Sequence, residues 1–172
     1  MEVLIVVDMQ NDFVSGALGT SEAKEIVDNV VSKIKKFNGT ILFTQDTHQE
    51  DYLNSAEGKK LPVEHCIKNT WGWQIIDEIK EACKDISPIE KPTFASVDLG
   101  EKLVQINEET KIEKITLIGL CTDICVISNA MLVKAFLPET PIEIDSNCCA
   151  GVSKESHLNA LEAMKVCQIS VI

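Results

Sequence analysis

Residues 115–125 read ITLIGLCTDIC. The apolar run from Ile115 to Gly119 predicts a buried strand, Gly119 predicts a tight turn, and a helix should follow with Cys125 in its first turn. A helix N-terminus carries partial positive charge and unpaired N–H groups, which favour a thiolate and can stabilise an oxyanion. Cys125 is therefore a candidate nucleophile. The alternative is a small apolar residue of the core.

The composition is typical of one soluble globular domain over residues 1–172, with 45% apolar and 25% charged residues. A net charge of −11 argues against nucleic acid and anionic membranes as partners, because both attract basic surfaces. No stretch approaches the roughly 18 apolar residues of a membrane span, and none resembles a signal peptide. The seven cysteines are odd in number and lack paired spacing, which predicts free thiols in a reducing cytoplasm.

Strand and helix patterns alternate along the chain. Apolar runs predict strands at 3–7, 40–44, 86–90, 114–119, 142–145 and 168–172. Helical spacing of apolar residues predicts the intervening helices, among them one that contains Trp73 and Cys83. The alternation predicts a parallel sheet with helices on both faces, in which ligands bind at the carboxyl ends of the strands. Asp8, Asp46 and the turn before Cys125 all follow such ends, so we expect them to converge.

Two charged residues are candidate partners of the cysteine. Asp8 ends the first strand, where a carboxylate could accept the thiol proton and pass it to a leaving group. Lys91 follows the third strand, and a lysine near a thiolate lowers the pKa of the thiol and stabilises negative charge. The alternatives are an ordinary strand-end acid and a solvated lysine.

The long polar loop over residues 46–70 is a candidate metal site. It begins with Asp46-Thr47-His48 and also contains Glu57 and His65, so that two of the three histidines of the chain lie in it. Imidazoles and carboxylates are suitable ligands for zinc, iron or manganese. The alternative is a solvated loop without metal. We expect His157, in the last predicted helix, to have no special role.

Several motifs together resemble one enzyme family almost from end to end. The chain is similar to the isochorismatase-like cysteine hydrolases, and within them to the nicotinamidase/pyrazinamidase branch. The resemblance rests on VDMQNDF at 7–13, Asp46-Thr47-His48, His65-Cys66, Lys91 with Phe94, and GLCTDICV at 119–126. It implies a three-layer α/β/α fold around a six-stranded parallel sheet.

The resemblance also implies roles for single residues. Asp8, Lys91 and Cys125 would form the catalytic triad. The backbone N–H groups of Cys121 and Cys125 would form the oxyanion hole, and the peptide bond between Leu120 and Cys121 would be cis. In this branch Phe13 and Leu120 would contact the substrate, with Phe13 packed on a pyridine ring.

The same resemblance implies one divalent metal ion. Its ligands would be Asp46, His48, Glu57 and His65. Zinc is the ion we expect, with manganese and iron as alternatives, and it would bind the pyridine nitrogen of the substrate. A small-molecule amide is the implied substrate, and relatives suggest a homo-oligomer.

The chain departs from the branch at one position. Nicotinamidases usually carry Trp-Pro shortly before the last metal-binding histidine, whereas this chain has Leu61-Pro62 before His65. Trp71 and Trp73 follow that histidine instead. Glu64 is a second acidic residue that could replace Glu57 as a ligand.

The hypothesis from the sequence is hydrolysis of nicotinamide to nicotinate and ammonia through a thioester on Cys125. A second hypothesis keeps the triad and changes the substrate to another small amide or to an isochorismate-like vinyl ether, which would need no metal. A third is a non-catalytic, flavodoxin-like binding module, in which Cys125 would react no faster than an ordinary thiol.

Overall fold

A six-stranded, all-parallel sheet forms the centre of the computed structural model, which describes residues 1–172. The strands are β1 (Glu2–Val7), β2 (Thr40–Asp46), β3 (Ile89–Lys91), β4 (Lys114–Leu120), β5 (Ile142–Ala150) and β6 (Ser170–Val171). Their order in the sheet is β3-β2-β1-β4-β5-β6. The predicted parallel sheet is therefore confirmed, and β1 and β4 lie side by side at its centre.

Helices cover both faces of this sheet. They are α1 (Asn11–Val14), α2 (Ser21–Glu25), α3 (Val27–Lys36), α4 (Asp77–Ala82), α5 (Val97–Glu109), α6 (Ile127–Phe136) and α7 (Lys154–Val166). A short 3₁₀ turn spans Tyr52–Asn54, and a π-helical turn over Thr122–Val126 leads into α6. None of these helices combines the length and apolarity that crossing a membrane requires.

The position of β1 explains why its sequence is a continuous apolar run. Val3, Ile5 and Val7 belong to one core cluster, which also holds buried apolar residues of α5, α6 and α7. Leu4 and Val6 belong to the other, with residues of α1 to α4. A strand that is covered on both faces buries every side chain, so the usual alternation of polar and apolar residues is lost. The three-layer α/β/α prediction is confirmed.

The ends of several elements differ from the sequence prediction. β2 and β3 run to Asp46 and Lys91, so these charged residues close the strands instead of following them, and β5 continues to Ala150. The predicted helix around residues 73–83 is shorter and begins at Asp77. Trp73 lies outside it because its carbonyl accepts hydrogen bonds from the side chains of Gln10 and Gln45.

The turn predicted at Gly119 is wrong by one residue. Gly119 lies inside β4, paired with Val7 of β1 and Cys149 of β5, and the chain turns after Leu120. Its φ of 114° suits glycine, and a Cβ atom there would collide with the Val7 backbone. The glycine therefore lets the ends of β1 and β4 approach closely.

Candidate active site

Four neighbouring strands end at one place on the sheet. Asp8 directly follows β1, Asp46 ends β2, Lys91 ends β3, and β4 leads into the turn that carries Cys125. These strands are adjacent in the order β3-β2-β1-β4. The structure therefore brings together side chains that the sequence separates widely, as the parallel topology predicts.

Asp8 and Lys91 form a buried ion pair. Lys91 Nζ lies 2.7 Å from Asp8 Oδ2, and the Thr44 hydroxyl donates a hydrogen bond of 2.7 Å to Asp8 Oδ1. Asp8 has a φ of 47°, a left-handed conformation that aspartate tolerates better than most residues. This backbone turn and the two contacts fix both oxygens of the carboxylate.

Cys125 lies in the π-helical turn before α6, close to the ammonium group of Lys91. Lys91 Nζ is 3.5 Å from Cys125 Sγ, and the cysteine is almost fully buried. The Leu120–Cys121 peptide bond at the start of this turn is cis, as the resemblance implies. The Cys121 carbonyl accepts hydrogen bonds from Ile124 and Val126, which closes the turn.

The electrostatics of the site oppose ionisation of the cysteine. Burial raises the pKa of the Cys125 thiol well above its ordinary value; Asp8 adds to the rise and Lys91 opposes it. Lys91 lowers the pKa of this thiol, as expected from the sequence, but burial and Asp8 outweigh its effect. Burial also lowers the pKa of Lys91, but its negatively charged neighbours, Asp8 first among them, outweigh this effect and raise that pKa overall. The site presents a thiol beside a lysine ammonium group, so formation of the thiolate needs a base.

Asp8 is the base that the geometry offers. Burial raises the pKa of Asp8, although Lys91 and the Thr44 hydrogen bond lower it in part. A carboxylate with a raised pKa accepts a proton more readily than an ordinary aspartate. The arrangement can therefore move a proton from Cys125 to Asp8.

The predicted metal ligands lie beside the ion pair. Asp46, His48 and His65 are all buried, and their potential ligand atoms lie within 4.8 Å of one another. Asp46 Oδ2 is 3.0 Å from His48 Nε2 and 3.7 Å from His65 Nε2. His48 Nε2 is buried and makes no hydrogen bond of acceptable geometry. Two imidazoles and a carboxylate in this arrangement, with one imidazole nitrogen unsatisfied, fit a divalent metal ion.

The structure distinguishes the two acidic residues of the loop. Glu57 Oε1 lies 3.6 Å from Nε2 of His48 and 3.6 Å from Nε2 of His65. Glu64 is exposed to solvent. Glu57 is therefore the carboxylate that could add a fourth ligand.

Neighbouring side chains hold the metal-site residues in place. The Tyr52 ring is buried, with its centroid 4.6 Å from that of His48 and 5.0 Å from that of His65. The side chain of Gln10 accepts a hydrogen bond from the Asp46 backbone N–H and donates one to its carbonyl. These contacts orient three of the potential ligands before any ion binds.

A cavity of about 490 Å³ opens onto both groups of residues. Its walls include Cys121, Cys125, Asp46, Glu57 and His65, together with a mainly apolar set: Phe13, Leu18, Ala56, Lys60, Leu61, Thr93, Phe94 and Ile124. Phe13 packs at a tilt against His65, with ring centroids 5.7 Å apart. The cavity therefore places an apolar, aromatic surface between the nucleophile and the metal-site residues.

Three residues considered as substrate contacts, Leu120, Trp71 and Trp73, do not line the cavity. Leu120 does not line this cavity, since it is buried in the core as the last residue of β4, paired with Ala150. Trp71 is exposed, and Trp73 donates its indole N–H to Thr47; neither lines the cavity. Leu61 does line it, at the position where the branch usually has tryptophan.

Asn129 is a residue near the site that sequence reasoning missed. It is fully buried on α6, one turn after Cys125, and hydrogen-bonds to the backbone of Cys125, Phe94 and Ser96. An asparagine inside an apolar helical pattern was the available signal, because buried amides need partners. His157, predicted to have no special role, hydrogen-bonds to the Thr122 hydroxyl.

Comparison with known proteins finds relatives over the whole chain. A family model, the isochorismatase domain, matches residues 2–172. The chain is 24% identical to the nicotinamidase of Saccharomyces cerevisiae, over 100% of this chain and 99% of that protein.

Solved structures share the overall fold of the chain. The crystal structure of nicotinamidase PncA from Bacillus subtilis superposes with a TM-score of 0.81 at 30% identity, covering 99% of this chain and 98% of that one. The pyrazinamidase of Pyrococcus horikoshii, solved in complex with zinc, has a TM-score of 0.79 at 27% identity, with coverages of 99% and 98%.

Proposed function

The chain belongs to the isochorismatase domain family, and we propose that it is a nicotinamidase, which hydrolyses nicotinamide to nicotinate and ammonia. The proposal rests mainly on one observation, that two groups of functional side chains lie at the same cavity. Cys125, with its buried Asp8–Lys91 pair, lies on one side, and the Asp46, His48 and His65 cluster lies on the other. Nicotinamidases are among the relatives that match the chain over nearly its whole length.

The first chemical step is attack of sulfur on the carboxamide carbon. Asp8 accepts the proton of the Cys125 thiol as the S–C bond forms. Lys91, held 3.5 Å from the sulfur, stabilises the negative charge that develops there. The backbone N–H groups of Cys121 and Cys125 would bind the oxyanion of the tetrahedral intermediate.

Ammonia then leaves with the proton held by Asp8, and the C–N bond breaks to give the thioester. A water molecule attacks this thioester, and Asp8 accepts one proton of the water. The C–S bond breaks, and Asp8 returns the proton to Cys125 sulfur. The cycle consumes one water molecule, and the acid product ionises to nicotinate.

We infer that Asp46, His48, Glu57 and His65 hold one divalent metal ion, with zinc the best fit to two imidazoles and carboxylate ligands. When bound, the ion supplies a Lewis acid for the pyridine nitrogen of the substrate. The pyrazinamidase of Pyrococcus horikoshii, which has the same fold, was solved with zinc. The unsatisfied Nε2 of His48 supports a metal site in this chain.

The cavity suits a flat heteroaromatic amide. Phe13 and Phe94 offer aromatic surface, and Leu18, Leu61 and Ile124 offer aliphatic surface. Leu61 provides less aromatic surface than the tryptophan usual in the branch. This difference supports a second candidate, a related small amide with a ring other than pyridine.

Two further inferences concern the setting of the enzyme. All seven cysteines are free in the structure, which supports a reducing cytoplasm as its location. Assembly into a homo-oligomer stays a prediction, and sedimentation of the purified protein tests it.

Ammonia release from nicotinamide is the test of the proposal. We expect the wild type to release ammonia, to lose this activity on chelation, and to regain it on addition of zinc, manganese or iron. Cys125→Ala should be inactive under all conditions. Metal-loaded wild type that releases no ammonia from nicotinamide, but releases it from another small amide, would support the second candidate instead.

A further inference from the structure

Asn129 connects the nucleophile to the wall of the cavity. Its Oδ1 accepts a hydrogen bond of 3.0 Å from the Ser96 N–H. Its Nδ2 donates to the Phe94 carbonyl at 3.0 Å and to the Cys125 carbonyl at 2.8 Å. The side chain is fully buried, and both of its amide hydrogens are used. A single side chain therefore connects the segment that contains Phe94 and Ser96 to the turn that contains Cys125.

The segment over residues 92–96 is attached to the nucleophile from a second side. Lys91 Nζ donates to the Thr93 carbonyl at 3.1 Å and contacts Cys125 Sγ at 3.5 Å. The contacts therefore form a closed ring. It runs from Cys125 sulfur through Lys91 to Thr93, along the chain to Phe94, and through Asn129 back to the Cys125 backbone.

This ring of contacts sets the distance between Cys125 and the Thr93–Phe94 wall of the cavity, and the substrate must fit between them. Thr93 and Phe94 line the cavity, and Phe94 is 41% exposed, so packing covers only part of this residue. Without Asn129, the Phe94 carbonyl and the Ser96 N–H would lose their partners, and this wall could move relative to the sulfur. A displacement of about 1 Å can cost about a hundredfold in rate when the reacting atoms are misplaced.

We propose that Asn129 is a positioning residue for the reaction, which holds the Thr93–Phe94 wall of the cavity at a fixed distance from Cys125. It does not touch the substrate; it acts through Phe94 and through the backbone of Cys125. The activity assay rests on the proposed function, but the position of the wall can be measured without any substrate.

Asn129→Leu and Asn129→Ser are the test variants. Leucine has a similar volume and removes all three hydrogen bonds without adding charge. The serine hydroxyl can bond the carbonyl four residues earlier, which is that of Cys125, but is too short to hold Phe94 and Ser96. Asn107→Leu is the matched control, because Asn107 lies on α5 and its Oδ1 accepts one hydrogen bond, from the Ile112 N–H, away from the site.

We expect kcat/KM for nicotinamide to fall about tenfold to a hundredfold in both Asn129 variants, at a temperature where circular dichroism shows them folded. The kcat/KM of Asn107→Leu should stay within twofold of the wild-type value, even if its Tm falls as much as that of the Asn129 variants. Hydrogen exchange of the peptide containing residues 92–96 should be faster in the Asn129 variants only.

Wild-type kcat/KM in folded Asn129→Ser would overturn the proposal, as would unchanged exchange of the 92–96 segment. If Asn129→Leu does not fold, Asn129→Ser decides. If the wild type does not hydrolyse nicotinamide, the proposed function fails, while the exchange measurement still tests whether Asn129 holds this wall.

Discussion

Lys91 Nζ lies 2.7 Å from Asp8 Oδ2, and neither side chain is exposed to solvent. A buried carboxylate and a buried ammonium group each cost several kcal/mol of desolvation, which their contact must offset. Asp8 is also the proton acceptor for Cys125 in the proposed reaction. Loss of one partner should therefore affect both the stability of the fold and catalysis, and the two effects can be separated.

Lys91→Met should lower both stability and activity. Methionine fills a similar volume but leaves the Asp8 carboxylate buried without its cation, which destabilises proteins by about 3–5 kcal/mol. Urea unfolding should show this loss in the free energy of unfolding. Ammonia release should fall at least about a hundredfold, because an uncompensated Asp8 takes up a proton and no longer accepts one from Cys125.

The double variant Asp8→Asn/Lys91→Met separates the two effects. Removing both charges should recover part of the lost stability, whereas ammonia release should stay at background. Recovery of activity together with stability would show that the pair is structural only.

Thr44→Val should move the acid limb of the pH profile to higher pH. The Thr44 hydroxyl bonds the ionised form of Asp8 and lowers its pKa, so removing the hydroxyl raises that pKa. Asp8 must be ionised to accept the thiol proton, and activity is lost as pH falls through its pKa. We therefore expect kcat/KM of the variant to decline at a higher pH than that of wild type.

Thr116→Val is the matched control for this shift. Thr116 is a buried threonine of β4 whose hydroxyl donates to Glu143 Oε1 at 2.8 Å, away from the site. Its replacement should leave the acid limb unchanged. Equal shifts in both variants would contradict the assignment of Asp8 as the base.

Glu57→Gln should weaken metal binding, and Glu64→Gln should not. Glu57 Oε1 lies 3.6 Å from both imidazoles of the site, whereas Glu64 is exposed. Loss of a ligand or of its orienting partner typically costs about tenfold to a hundredfold in metal affinity. Calorimetric titration of the chelated protein with zinc measures the difference. Identical affinities of the two variants would remove Glu57 from the ligand set.

Leu61→Trp should lower KM for nicotinamide by about two- to tenfold with little change in kcat. Leu61 lines the cavity, and an indole ring there adds an aromatic contact, which contributes about 0.5–1.5 kcal/mol. Steady-state ammonia release measures both constants. Leu53→Trp is the control, because Leu53 is similarly exposed and does not line the cavity. A higher KM in Leu61→Trp would mean that the smaller leucine suits the substrate better.

The sequence predicts the sheet well because burial on both faces leaves a simple signal. Val3–Val7 is apolar at every position, and the structure divides this run between the two cores. The convergence of Asp8, Lys91 and Cys125 also follows from parallel topology. Their pattern alone is equally compatible with a strand-end acid, a solvated lysine and a core cysteine; the combined motifs of the family resemblance indicate the triad.

Tertiary contacts explain what the sequence could not predict. Trp73 has helical spacing but lies outside α4, because Gln10 and Gln45 bond its carbonyl. The choice between Glu57 and Glu64 depends on how the loop folds back on His48 and His65. Burial, which spacing does not reveal, outweighs the effect of Lys91 and raises the pKa of Cys125.

The strand order has a consequence for folding. The residues of the site come from β1, β2, β3 and the segment after β4, so no fragment that lacks one of these contains the complete site. Pairing of parallel strands that are distant in sequence is slow compared with helix formation. During refolding, hydrolysis should therefore return after the helical circular dichroism signal, and its recovery would report when the four strands have assembled.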